Sequence, residues 1–114
     1  MNRDRLPLTE ATFYILLSLS SGRKHGYAIM KEIAALGEAT PQLSTSTLYD
    51  ALGRLQEQNL IVRVKNEPDD GGPGLPRKAY ELTELGRRTL EAEMVRLRRQ
   101  VAAGQRYLGQ GAQT

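Results

Sequence analysis

Between Thr83 and about Gly104, apolar residues recur at Leu90, Met94, Leu97 and Val101, spaced four, three, four. That is the 3.5-residue period of a helix carrying one long apolar seam. Such a helix spans roughly 31 Å at 1.5 Å per residue. The rest of a 114-residue chain is enough for one small core and not for two. Part of the seam therefore overhangs what the chain can cover by itself. It needs another surface, most simply the same helix of a second copy. Leu90, Met94, Leu97 and Val101 are assigned to that dimer contact, with the first helix as co-packer.

Three shorter helical patterns precede it. Thr9 caps the first, which carries Phe13, Leu16, Leu17 and Leu19 or Ser20 and stops at Ser21 and Gly22. The second runs from Gly26 or Tyr27 to about Leu36, with Tyr27, Met30, Ile33 and Ala34 as its apolar stripe and Gly37 as a left-handed stop. The third begins after Ser44, carries Leu48, Ala51, Leu52 and Leu55, and ends at Asn59. The period then changes. Ile61, Arg63 and Lys65 alternate with Val62 and Val64, and a second alternation covers Ala79 to Leu82. Two strands in succession predict a hairpin. Its connection, Pro68 to Pro76, holds three Pro, three Gly and two Asp, a composition that resists regular structure and suits a projecting tip.

Composition agrees with a mainly helical chain: Leu occurs 17 times and Ala 11 times, against 8 for Val and Ile together. The order of elements describes a fold that is mainly α with a small β-hairpin, a winged helix-turn-helix followed by a long C-terminal dimerisation helix. The expected divisions are a flexible N-terminal arm over 1–7, the winged helix-turn-helix over 8–82, the dimerisation helix over 83–108 and a flexible tail over 109–114. No apolar stretch approaches the roughly 20 residues needed to cross a bilayer, so no membrane partner and a cytoplasmic location are expected. One His, no Cys and no clustered carboxylates leave no triad, metal site or general acid/base pair. The expectation is a non-enzyme with no cofactor. A net charge of +3 permits an anionic partner without requiring one.

Three stretches carry a resemblance: His25-Gly26-Tyr27, Ser44 through Leu55, and Pro76-Arg77-Lys78-Ala79-Tyr80-Glu81-Leu82-Thr83 with Gly86. Together they resemble the PadR family of bacterial transcriptional regulators over about residues 8 to 100. The resemblance implies a sequence-specific, dimeric repressor that binds a palindromic operator in double-stranded DNA, often released by a small aromatic or drug-like effector. The short chain is similar to the branch with a single carboxy-terminal helix. It departs from the family at Thr45 and Asp50, where Pro is frequent, and at Asn59, where Gly is usual.

The third helix agrees on physical grounds. With Leu48, Leu52 and Leu55 turned inward, Thr45, Ser46, Tyr49, Asp50 and Arg54 are left near the outer face, and short hydroxyls at a helix N-terminus suit phosphate and base-edge contacts. The candidate DNA-binding residues are Thr45, Ser46, Thr47, Tyr49 and Arg54 on the helix, with Arg63, Lys65, Arg77 and Lys78 on the stem of the wing. A blander role stays open for several of them. Ser44 and Thr47 are good capping residues, and Tyr49 can pack beside the hairpin. Asp50 either accepts from a cytosine amine or pairs with Arg54 four residues on. Arg23, Lys24 and His25 are further candidates for flanking backbone, with packing or capping the stronger reading for His25 and core packing for Tyr27. For the effector that the resemblance implies, Phe13, Tyr14, Met94 and Tyr107 are the candidate lining, with ordinary packing as the alternative. The acidic loop tip and Asp50 also keep open a winged-helix module that holds a protein partner.

Overall fold

The computed structural model describes residues 6–37, 42–64 and 79–113, with side chains through 109. α1 (Glu10–Leu19) leads through β1 (Lys24–His25) into α2 (Gly26–Ala35). α3 (Thr45–Glu57), β2 (Ile61–Val64), β3 (Ala79–Leu82) and α4 (Glu84–Gln113) follow. α1 and α3 begin where a hydroxyl caps the first turn, whereas α2 follows His25 with no side-chain cap. Thr9 Oγ1 accepts from the Thr12 amide at 3.1 Å, and Ser44 Oγ from the Thr47 amide at 3.1 Å. α3 stops as its Asn predicts. Asn59 takes φ 63°, and the Leu60 and Asn59 amides donate to the carbonyls of Leu55 and Gln56, each at 3.0 Å. This is the paired closure of a left-handed helix end.

The expected two-stranded hairpin is a three-stranded antiparallel sheet of order β1-β3-β2. Lys24 pairs with Tyr80 and His25 with Ala79, while β2 runs from Ile61 opposite Leu82 to Val64 opposite Ala79. Two residues are too few to show alternation, so β1 leaves no sequence signal. Lys24 is also no free cation. Its Nζ donates to the Ser18 carbonyl at 2.7 Å and lies 3.3 Å from Glu32 Oε1. Glu32 in turn accepts from Ser18 Oγ at 2.7 Å, so that α1 and α2 are tied by a polar knot. The Ser18 hydroxyl, and then Lys24, hold the Glu32 carboxyl below its ordinary range against a partial desolvation.

The core gathers Ile15, Leu16 and Leu19 of α1, Ile29 and Ile33 of α2, Leu48, Leu52 and Leu55 of α3, Leu60 of the α3–β2 corner, and Ile61 and Tyr80 of the sheet. The α2 stripe is therefore Ile29–Ile33 with Met30 beside it, not one that includes Tyr27 and Ala34. Both apolar stripes exist in that sequence, and the body lies against the first. Tyr27 is 64% exposed, with Lys31 Nζ 5.5 Å from its ring centroid.

α4 is fixed at its start by Thr83, whose hydroxyl donates to the α3–β2 corner, 2.7 Å from the Asn59 carbonyl and 3.0 Å from that of Leu60, and accepts from the Gly86 amide at 2.9 Å. Gly86 has no room for a side chain: a Cβ there would run into the Leu60 carbonyl oxygen and stand 2.9 Å from Leu82 Cδ1. The helix continues to Gln113, beyond its expected end near Gly104 and into the stretch expected as a tail; Thr114 lies outside the described residues. Glycine inside a helix costs about 1 kcal/mol without forbidding it, and no proline follows Thr83. Of the N-terminal arm, residues 1–5 lie outside the described residues.

Candidate nucleic-acid interface

α3 divides cleanly into two faces. Leu48, Ala51, Leu52 and Leu55 are buried, whereas Thr45, Ser46, Thr47, Tyr49, Asp50, Gly53 and Arg54 are exposed. Ser44 is the cap, and its hydroxyl also donates to Thr47 Oγ1 at 2.9 Å and sits 3.3 Å from Ser46 Oγ. The helix thus opens on three neighbouring hydroxyls. The first-turn amides at this end add partial positive charge. Ser46, Asp50 and Arg54 follow at four-residue spacing along one line of roughly 12 Å. No ion pair joins Asp50 to Arg54 among the described residues, so of the two roles left open for Asp50 the pairing is not formed, and both side chains are exposed on the face.

Tyr49 does two things. It is 41% exposed, yet its ring crosses the start of α2 so closely that a Cβ at the buried Gly26 would lie 2.8 Å from Cζ and collide with the hydroxyl. Gly26 is therefore the seat of Tyr49, which accounts physically for a glycine after His25. Behind it Tyr80 is buried, and burial pushes its phenol above the ordinary value, with Tyr49 adding to the shift and Arg63 opposing it. Arg63 is exposed on β2, directly opposite Tyr80. Lys65, Arg77 and Lys78 lie outside the described residues.

The residues assigned to the seam divide. Leu90 belongs to the chain's own core, which corrects its assignment to a dimer contact; a spacing of 3.5 marks a face but not what covers it. Leu97 is half-buried, and Met94 and Val101 are exposed. Phe13, Met94, Leu97, Val101 and Ala102 line an open apolar groove of about 510 Å³ between α1 and α4. Of the four effector candidates, Phe13 and Met94 meet in this groove. Tyr14 packs edge-on against Phe13, with centroids 5.4 Å apart. Tyr107 stands exposed about 20 Å farther along α4 than Met94.

One residue was not singled out from the sequence. Glu93, a charge in an arginine-rich stretch of α4, is only 2% exposed. Arg96 clasps it, Nε to Oε1 at 2.6 Å and Nη2 to Oε2 at 2.8 Å, and the Leu8 amide donates to Oε2 at 3.0 Å. Those hydrogen bonds, Arg96 first, hold its carboxyl below the ordinary range although burial pushes the other way. Among the described residues no group of His, Asp and Glu is placed to hold a metal ion, and no helix is long and apolar enough to cross a membrane.

Three helices, a three-stranded sheet with α3 presented beside it, and a trailing helix define a winged helix-turn-helix protein. The chain belongs to the PadR-like family of transcriptional regulators, whose model, described as "Transcriptional regulator PadR-like family", matches residues 15–92. Among solved structures it is similar to a PadR family transcription regulator from Clostridium difficile R20291, at 29% identity and TM-score 0.74, covering 88% of this chain and 99% of that one. It is also similar to a PadR family regulator from Eggerthella lenta DSM 2243, at 27% identity and TM-score 0.67, covering 94% and 84%. A third is Bacillus subtilis PadR in complex with operator DNA, at 26% identity and TM-score 0.64, covering 74% of this chain and 46% of that one. No match was found among curated proteins.

Proposed function

We propose that the chain acts in the cytoplasm as a homodimeric, non-catalytic, sequence-specific DNA-binding repressor of a palindromic operator. One observation carries the reading: α3 turns its leucines wholly into the core and presents Thr45, Ser46, Thr47, Tyr49 and Arg54 outward. In a winged helix the third helix enters the major groove, where such side chains meet phosphates and base edges. The operator complex of Bacillus subtilis PadR supports it from the family side. Arg63, with Lys65, Arg77 and Lys78 of the wing stem, supplies flanking phosphate contacts. Met94, Leu97 and Val101, continued by the exposed Leu108, form the contact with the second copy. A flat aromatic effector fits the groove between Phe13 and Met94, with Tyr14 behind Phe13; Tyr107 joins that cavity only if a second copy contributes it.

Selection from random duplexes tests the reading. The expected outcome is an enriched palindrome with half-sites about one helical turn, roughly 34–36 Å, apart, whose affinity falls steeply with salt. Failure to bind any duplex at low salt, alongside a stable complex with another protein, would replace it with the interaction-module reading that Asp50 keeps open.

A further inference from the structure

α4 is a rod held at two places. The first is its opening turn, where Thr83 bonds to the α3–β2 corner and Gly86 lies against the Leu60 carbonyl. The second is Glu93, the last buried residue along the helix: every described side chain after it, through Gly109, is exposed or half-exposed. Between the two, Leu90 packs into the core by apolar contact, which has no direction of its own. The Glu93 carboxylate is different. All three of its hydrogen bonds are charge-assisted and directional, and one goes to the Leu8 amide, 85 residues away, just ahead of α1. The family match ends at residue 92, so these bonds are read on their own geometry.

The two holds are about 10 Å apart along the axis, and Gln113 is about 40 Å from the first. A slip of about 1 Å at Glu93 therefore moves the far end by about 4 Å. We propose that Glu93 is a positioning residue for DNA reading: by locking α4 to the start of α1 it fixes the direction in which α4 leaves the body, and through it the half-site spacing that a dimer accepts. This deepens the function proposed above and rests on it. Arg96 orients the carboxylate, and the Leu8 amide is what it grips.

The chain has no cysteine, so spin labels at Ala34→Cys on α2 and Arg106→Cys on α4, both exposed, report the angle within one chain. Labelled protein is diluted into unlabelled protein to silence distances between copies. Glu93→Ala is expected to broaden the distance distribution by about 3 Å, the same lever read at residue 106. Glu93→Gln falls between, because its amide oxygen still accepts from Leu8. If Glu93→Ala does not fold, Arg96→Met, at a side chain that is partly exposed, is expected to broaden the distribution in its place. The second arm moves the selected half-sites one base pair apart, for which the unmutated chain is expected to lose about tenfold in affinity and Glu93→Gln only about threefold. An unchanged distribution overturns the proposal, and so does a broadened distribution with an unchanged spacing preference. If the unmutated chain binds no duplex, the function proposed above fails before any variant is compared; if it binds but prefers no spacing, the positioning role alone is overturned.

Discussion

Leu90 and Val101 lie about three turns apart on the same seam of α4, yet Leu90 is 4% exposed and Val101 58%. The residue types are similar; what lies opposite them is not. Up to Glu93 the helix has α1 and the sheet to bury against, and beyond it the described residues of its own chain cover at most part of any side chain. The first part of the molecule is a finished body, and the second carries an apolar face that the described residues of its own chain leave uncovered. Apolar periodicity identifies a face, and only the rest of the fold says whether that face is already spent.

Substitutions separate the two regions. The largest effect is expected at Leu48→Ala, where a fully buried side chain leaves a cavity. It should cost about 3 kcal/mol in denaturant unfolding. Val101→Ala, measured where the chain is monomeric, should stay within about 0.5 kcal/mol, and an equal loss at both positions would erase the distinction. Gly86→Ala is next, at about 2 kcal/mol, because its Cβ must displace either the Leu60 backbone or α4 itself.

Glu93→Ala should also cost about 2 kcal/mol at neutral pH, by stripping hydrogen bonds from the Leu8 amide and Arg96. Its pH dependence is fixed in sign. The folded chain holds the Glu93 carboxyl below its ordinary value, so its contribution is present above that value and lost as pH falls through the lowered one. Thermal unfolding should show the gap between the unmutated chain and Glu93→Gln closing in acid. A gap that widens in acid would mean the carboxylate is not stabilised by the fold. A smaller loss, about 1 kcal/mol, is expected for Thr83→Val, which keeps the shape but removes the α4 cap and the link to Asn59.

Much of the body is legible in the sequence because each signal is local. Ser44, the Leu48–Ala51–Leu52–Leu55 stripe and Asn59 mark α3 from cap to stop, and the structure follows them. The sequence misleads where one pattern admits two settings. Tyr27 and Ile29 both head apolar stripes on α2, and tertiary packing chooses between them. Glu93 and Arg96, three apart between exposed arginines, look like any solvated pair, and the further bond that Glu93 accepts comes from Leu8, far away in the chain. β1 exists only because β3 pairs with it. On the candidate site, the outward face of α3 was legible as the remainder of its leucine stripe, whereas the seating of Tyr49 on Gly26 needed the two helices side by side.

The central claim is that α3, and not the arginine-rich far half of α4, meets DNA. A photo-reactive group attached at Ser46→Cys, and in a separate protein at Arg99→Cys, tests it on the cysteine-free chain. With the selected duplex bound, crosslinks are expected from position 46 to bases within each half-site and none from position 99. Crosslinks from position 99 alone would contradict the account.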